Sequence, residues 1–102
     1  MYRVSVLYGT PADPAAFDRY YREVHIPIAK QMDGLTGWTL TWTSEQAGTP
    51  ADVYLIADLY AETKEAMDAI LSSPAGIAAA DDVPKFATGG VTFLYGTEES
   101  VL

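Results

Sequence analysis

Four segments of the chain carry patterns typical of β-strands. Residues 36–44 alternate strictly, with Trp38, Leu40 and Trp42 on one face and threonines on the other. Residues 2–8 are rich in β-branched and aromatic side chains, and residues 88–96 form the last predicted strand. Residues 53–60 carry apolar side chains on both faces. This last pattern predicts a sheet that is covered on both sides.

The first predicted helix follows the turn at residues 9–14. Asp13 is a plausible N-cap and Pro14 fits the first helical position. Helical spacing gives an apolar stripe of Phe17, Tyr21, Val24, Ile28 and Met32. Pro27 lacks an N–H, so we expect a kink or break around residues 24–26. Gly34 is expected to end this helix.

A second helical region is predicted after the third strand. Its first part covers residues 62–72, with Met67, Ile70 and Leu71 on the buried side. Ser73 and Pro74 resemble an N-cap and a first-turn proline, so a short alanine-rich helix should restart there and reach about residue 80. Residues 44–52 are predicted to form a loop, and residues 81–86 a connector to the last strand.

The order of these elements is β-α-β-β-α-β, which indicates an α+β ferredoxin-like fold in a single domain spanning residues 1–102. Such a unit places both helical regions on one face of a four-stranded antiparallel sheet. The apolar positions on the other face of residues 53–60 need a cover. Because the chain has no spare element for this, we expect a second copy of the same sheet, and therefore a homodimer.

Charge and composition narrow the possible partners. Fourteen acidic and six basic residues give a net charge of −8, which disfavours nucleic acid and anionic membranes as partners. The chain has no cysteine, which excludes disulfides and thiolate chemistry. No apolar run reaches membrane-spanning length, and the N-terminus begins directly with a strand pattern. The expected location is the cytoplasm.

Several segments together resemble the EthD family. They are Tyr20-Tyr21 with His25-Ile26-Pro27-Ile28, the Leu59-Tyr60-Ala61 and Glu65-Ala66-Met67 segments, Leu71-Ser72-Ser73-Pro74-Ala75-Gly76, and Asp81-Asp82-Val83-Pro84-Lys85-Phe86. The resemblance implies a dimeric α/β barrel, in which two ferredoxin-like units join their sheets. It also implies that His25 matches the histidine that the family carries on its first helix. Related barrels include cofactor-free monooxygenases, lactone isomerases, polyketide cyclases and haem-binding proteins, so the fold leaves the reaction open.

His25 is the single histidine, and it is the natural candidate for proton transfer near neutral pH. On a helical wheel it lies at the edge of the apolar stripe, beside Tyr21 and Met32. Burial would disfavour its charged form, whereas helix carbonyls freed by Pro27 would favour it. The sequence does not rank these two effects. The alternative is a structural histidine that bonds a backbone carbonyl near the kink.

Tyr21 and Trp38 are the predicted substrate-binding residues. Tyr21 shares the helix surface with His25, and Trp38 begins the neighbouring strand, although alternation does not show which sheet face meets the helices. The acidic pairs 81–82 and 98–99 are interpreted as solvated surface rather than metal ligands, and no metal site is predicted from one histidine. Asp18 could orient the His25 ring, but a solvated carboxylate is the simpler interpretation.

The favoured function is cofactor-independent chemistry of the isomerase or cyclase type. His25 would be the general acid and base, and the substrate a small hydrophobic, aromatic or polyketide-like compound. Two alternatives remain. One is a non-catalytic ligand-binding or accessory protein of a catabolic or biosynthetic cluster. The other is a cofactor-free monooxygenase acting on an electron-rich substrate.

Overall fold

Four strands and two helical regions alternate along the chain, whose computed structural model describes residues 1–45, 47 and 52–102. The strands are β1 (Tyr2–Gly9), β2 (Gly37–Trp42), β3 (Val53–Ala61) and β4 (Val91–Thr97). The first helical region comprises α1 (Pro14–Tyr20), a π-helical segment (Tyr21–His25) and α2 (Ile26–Ala29). The second comprises α3 (Lys64–Ser72), α4 (Pro74–Asp82) and a 3₁₀ turn (Val83–Lys85). This order confirms the predicted ferredoxin-like fold.

The sheet is antiparallel throughout, with strand order β2-β3-β1-β4. Its register places Val4 opposite both Leu59 and Tyr95, and Trp38 opposite Leu59. Directly paired residues share a face, so these four side chains lie on the same side of the sheet. That side is the one covered by the helices, since Val4 and Leu59 are buried in the core. The sequence left the orientation of Trp38 open, and the register places it on the helix side.

Both predicted helix caps are confirmed. The Asp13 carboxylate accepts a hydrogen bond from the Ala16 N–H at 3.1 Å, directly before Pro14. The Ser73 hydroxyl accepts from the Gly76 N–H at 3.1 Å and donates to the Ile70 carbonyl at 2.6 Å. Ser73 therefore ends α3 and begins α4, which fixes the angle between two helices that both face the sheet.

Pro27 changes the helix in a way that the regular helical period did not predict. The chain does not break; instead the segment before the proline is π-helical, and the Ile26 N–H donates to the Tyr21 carbonyl five residues earlier. The extra residue in this turn keeps Tyr21, His25 and Ala29 on the buried side. Val24, which the predicted stripe placed in the core, is 38% exposed. The π-helical segment thus turns His25 inward in place of Val24.

Other boundaries differ slightly from the predictions. The helix ends at Ala29, earlier than Gly34, although Gly34 does adopt a positive φ of 102° in the following turn. The last strand begins at Val91 rather than residue 88. Most of the predicted loop at residues 44–52 lies outside the described residues. In the part of the chain that the structure describes, no helix is long and apolar enough to cross a membrane; the cytoplasmic location stays a prediction.

The sheet face opposite the helices is mixed in character. Ile56 and Tyr60 on β3 are partly buried there, and Asp58 lies between them. Asp58 accepts a hydrogen bond from the Ser5 hydroxyl and lies 3.7 Å from the Arg3 guanidinium. The two-faced character of β3 is therefore present, but its outer face combines apolar side chains with a charged network.

Candidate active site around His25

A cavity of about 260 Å³ lies between the sheet and the helices. The three residues selected from the sequence, Tyr21, His25 and Trp38, all line it. Most of the other lining residues are apolar or aromatic: Val4, Val6, Tyr8, Ala29, Met32, Ala57, Leu59, Leu71, Gly76, Ala79, Ala80, Val83, Phe93 and Tyr95. Phe93 and Tyr95 are 41% and 59% exposed, so the cavity opens to the surface beside β4.

His25 is hydrogen-bonded to a carboxylate that is distant in sequence. Its Nδ1 lies 2.9 Å from Oδ2 of Asp82. Both residues are buried, with 5% of His25 and 2% of Asp82 exposed. The other oxygen of Asp82 accepts a hydrogen bond from the Tyr20 hydroxyl at 2.7 Å. Both carboxylate oxygens are thus engaged, and the ring of His25 is held in one orientation. The backbone-carbonyl alternative for His25 does not occur in this structure.

Two local features position this dyad. The π-helical segment turns His25 toward the core, and α4 delivers Asp82 as its last residue. The His25 ring packs against two other aromatic rings, with centroid distances of 4.8 Å to Phe86 and 5.1 Å to Tyr21. Lys85, on the 3₁₀ turn that follows α4, places Nζ 4.0 Å from Asp82 Oδ1 at the surface.

The two members of the dyad favour different protonation states. Burial lowers the pKa of His25 below its ordinary value of 6.5, and the bond to Asp82 only partly opposes this. Burial acts to raise the pKa of Asp82, but hydrogen bonds from Tyr20 and His25 outweigh it and hold that pKa below its usual value. Near neutral pH the pair is therefore a neutral imidazole that donates from Nδ1 to an ionised carboxylate.

This tautomer leaves the lone pair of Nε2 free. Among the described residues, the only enclosed side-chain nitrogen or oxygen without a hydrogen-bond partner is Nε1 of Trp38. Nε2 of His25 has no hydrogen-bond partner among the described residues and is not fully enclosed, and His25 lines the cavity. A neutral imidazole with an accessible Nε2 is a Brønsted base in an apolar chamber.

Two tyrosines place phenol groups on the same cavity. Tyr8 on β1 and Tyr21 are 2% and 1% exposed, and their rings meet edge to face with centroids 5.8 Å apart. Burial raises the pKa of both phenols well above its usual value, and their mutual repulsion raises that of Tyr8 further. The indole N–H of Trp38 acts to lower the pKa of Tyr21, although it makes no hydrogen bond with any described residue. Both phenols therefore stay protonated donors.

Three site residues were missed from the sequence. Asp82, interpreted as solvated surface, is buried, because Tyr20 and His25 bond both of its oxygens. One signal was available: Gly76 and Ala79 of α4 and Val83 directly after it are buried at helical spacing, and Asp82 lies three residues after Ala79 on that side. Nothing comparable marked Tyr8 or Tyr20. Asp18, considered as a partner of His25, instead accepts a hydrogen bond from Tyr54 at 2.8 Å.

Metal-ligating side chains do not gather in the described part of the chain. No group of three or more histidine, cysteine, aspartate or glutamate side chains there could hold a metal ion. The His25–Asp82 pair is bonded internally, and its remaining atom is the single nitrogen Nε2. The chemistry that these residues offer by themselves is proton transfer and hydrogen bonding.

Comparison with known proteins shows which family this chain is similar to. Residues 10–90 match the model of the EthD domain. The chain is 42% identical over 102 residues to an uncharacterised 11.0 kDa protein from the thcB–thcC intergenic region of Rhodococcus erythropolis, covering 100% of this chain and 99% of that one. The fold of the present chain is similar to that of an ethyl tert-butyl ether D (EthD) family protein from Bacillus halodurans, with a TM-score of 0.91 and 27% identity. The alignment covers 97% of this chain and 99% of that one.

A more distant likeness extends to enzymes. The cofactor-independent oxygenase SnoaB from Streptomyces nogalater, solved as a mutant, aligns with a TM-score of 0.65 and 16% identity, covering 99% of this chain and 94% of that one. At this identity the likeness concerns the fold alone. The domain match over residues 10–90 and the 42% identical relative show the family directly. The chain belongs to the EthD domain family.

Proposed function

We propose that this protein is a cofactor-independent enzyme that uses His25 as a general base on a small hydrophobic compound. The observation that carries the proposal is the 2.9 Å contact between Nδ1 of His25, which lines an apolar cavity, and the buried carboxylate of Asp82. His25 then has a fixed tautomer, a ring that is neutral near pH 7 and a free Nε2. These are the properties that proton abstraction from a weakly acidic C–H group requires.

The cavity is large enough to hold a ligand of one or two rings. Its volume of about 260 Å³ exceeds the roughly 150 Å³ that holds a benzene molecule in a protein core. It lies just below the range of about 300–1,000 Å³ that is typical of sites for drug-sized ligands. Apolar walls with a few polar groups suit an aromatic or polyketide-like compound. Tyr21 and Trp38 are proposed as its binding residues.

The chemistry would begin with enolisation. Nε2 of His25 takes a proton from a carbon next to a carbonyl group, the C–H electron pair forms the enolate double bond, and the carbonyl π electrons move onto oxygen. Return of the proton from the imidazolium to another carbon of a conjugated enolate gives an isomer. Attack of the enolate carbon on a second carbonyl of the same molecule closes a ring, and the imidazolium then protonates the new alkoxide. In both cases His25 returns to its neutral form.

Asp82 supports this cycle as a positioning residue. Its carboxylate accepts from Nδ1, so it fixes which nitrogen of His25 faces the ligand and stabilises the imidazolium formed during the reaction. The Tyr20 hydroxyl holds the other carboxylate oxygen and limits its rotation. Buried carboxylate and neutral imidazole together carry one negative charge, which favours the protonated intermediate.

Proton exchange provides a direct test. With 1-indanone in D₂O, the protein should speed deuterium incorporation at the carbon next to the carbonyl, and His25→Gln should lower that rate by about 100-fold or more. Asp82→Asn should lower it less, since it removes orientation but not the base. Asp18→Asn is the matched control, because Asp18 is a carboxylate on the same helical region that bonds Tyr54 instead.

The alternatives predict different results in the same assay. A wild-type rate no greater than that of His25→Gln would reject general-base catalysis and favour a ligand-binding or accessory protein. An oxygenase would consume dissolved oxygen as an electron-rich phenol is converted, whereas an isomerase or cyclase would not. An oxygen electrode run alongside product analysis therefore separates these two enzyme classes.

We further propose that the protein is a homodimer joined through the sheet face opposite the helices. Within the described residues no helix covers this face, and Ile56 and Tyr60 lie partly buried on it. Sedimentation equilibrium should give twice the mass of the 11.0 kDa chain. Ile56→Lys should shift the equilibrium toward monomer, whereas Val24→Lys on the helical side should not. A monomer at all concentrations would contradict the dimer.

A further inference from the structure

The cavity carries two buried phenol groups that the proposed role of His25 does not use. Tyr8 is 2% and Tyr21 1% exposed, and neither hydroxyl bonds to another described protein group. Both residues line the cavity, and their hydroxyls are not enclosed by protein atoms. A phenol O–H that reaches a cavity without a protein partner is available to donate a hydrogen bond to a ligand oxygen in that cavity.

The two phenols are held by different elements of the fold. Tyr8 extends from β1, the central strand next to β3, while Tyr21 begins the π-helical segment. Their rings meet edge to face at 5.8 Å, and the Tyr21 ring lies 5.1 Å from His25. Two phenol groups and one imidazole base therefore line the same cavity of about 260 Å³.

Trp38 adds a constraint on Tyr21. Its indole Nε1 is enclosed, so a ligand atom does not reach it directly, and it has no hydrogen-bond partner among the described residues. Its N–H favours negative charge on the Tyr21 oxygen. Trp38 therefore lines the cavity through its ring rather than through its nitrogen.

We infer that Tyr8 and Tyr21 form a two-donor site for one oxygen atom of the ligand, and that the ligand class is an enolisable aryl ketone or its enolate. This inference rests on the proposed function, because it places the acidic C–H beside Nε2 of His25 and the adjacent carbonyl oxygen at the phenols. Donors aimed at the oxygen that gains charge stabilise the enolate more than the ketone. The pair would serve the enolisation step without ionising.

Infrared spectroscopy of a bound ketone tests the site directly. The probe is 1-indanone labelled with ¹³C at the carbonyl, and indane is its matched partner without oxygen. The bound carbonyl band should move to lower frequency than in a hydrocarbon solvent. Tyr8→Phe and Tyr21→Phe should each return part of that shift and weaken 1-indanone binding by about 3- to 10-fold, while indane binding stays unchanged. Tyr54→Phe is the control, since that hydroxyl bonds Asp18 outside the cavity.

The outcomes separate this inference from the proposed function. A shifted, tyrosine-dependent carbonyl band without deuterium exchange would keep the oxygen site and reject His25 catalysis. Exchange that depends on His25 with an unshifted carbonyl band would keep catalysis and overturn the oxygen site. Equal binding of 1-indanone and indane would also overturn it. If a Phe variant fails to fold by circular dichroism, the wild-type band position decides alone.

Discussion

Nδ1 of His25 lies 2.9 Å from Oδ2 of Asp82, across 57 positions of sequence. The contact joins the end of the π-helical segment to the end of α4, so the dyad depends on how two separate helical regions pack on the sheet. Because both side chains are almost fully buried, loss of either one would leave Nδ1 of His25 or Oδ2 of Asp82 without its hydrogen-bond partner. The same contact therefore supports the fold and prepares the candidate base.

The single histidine makes the dyad easy to observe. The pKa of His25 is lowered mainly by burial, and the Asp82 carboxylate opposes that shift. Titration of the His25 ring protons by NMR should give a midpoint below 6.5, and Asp82→Asn should move the midpoint lower still. Asp18→Asn should leave it in place. A midpoint that rises in Asp82→Asn would contradict the electrostatic role of Asp82.

Stability should fall as the solution is acidified through the range in which unfolded histidine protonates. The unfolded chain binds a proton at His25 near pH 6.5, whereas the folded chain resists it to lower pH. The contribution of His25 to the free energy of unfolding is fully present above pH 6.5 and is lost as the pH falls toward the lower pKa of the folded state. One proton limits the slope to about 1.4 kcal/mol per pH unit. Urea unfolding between about pH 7.5 and 5.5 measures it.

His25→Gln is the control for that slope. Glutamine does not titrate, so the dependence of the unfolding free energy on pH in this range should flatten even if the variant is less stable overall. Asp82 acts in a separate window: its pKa is held below the usual value, so its contribution is present above about pH 4 and lost below it. An unchanged slope across the histidine range in His25→Gln would show that other groups cause it.

The fold was predictable because its signals are local. Alternation over residues 36–44 depends only on which side chains face the sheet, and the caps at Asp13 and Ser73 depend on backbone groups three residues away. Those elements, and therefore the β-α-β-β-α-β order, follow from short windows of sequence. That order places Tyr21 on the helix that packs against the sheet, whereas the register, which the structure supplies, places Trp38 on the same side.

The rest of the site depends on contacts that no short window contains. Asp82 resembles a surface carboxylate in its own segment, and its burial comes from partners 57 and 62 positions away. The helical wheel failed for a different reason. It assumes about 3.6 residues per turn throughout, and the π-helical segment before Pro27 adds one residue to a turn. That shift exposes Val24 and moves His25 from the edge of the stripe to its buried side.

Gly76 should be intolerant of any side chain, because α3 and α4 approach closely there. A Cβ at this position would lie 2.3 Å from the Ile70 carbonyl oxygen and 2.6 Å from that of Leu71, both backbone atoms. Gly76→Ala should therefore lower the unfolding free energy by about 1–3 kcal/mol in urea denaturation. Gly96→Ala on β4 is the matched control, since nothing lies within 4 Å of its Cβ. Equal stability of the two variants would contradict the close helix contact.

Lysine substitutions at two positions can test which side chains the π-helical segment turns toward the core. Val24 is 38% exposed and Ala29 is 2% exposed, although a regular helix continuing from Tyr21 would bury residue 24. Val24→Lys should change the unfolding free energy by no more than about 0.5 kcal/mol. Ala29→Lys should lower it by at least about 3 kcal/mol, because the ammonium group would be buried without a partner. The reverse ranking would mean that the helix is regular and that His25 lies only at the edge of its buried side.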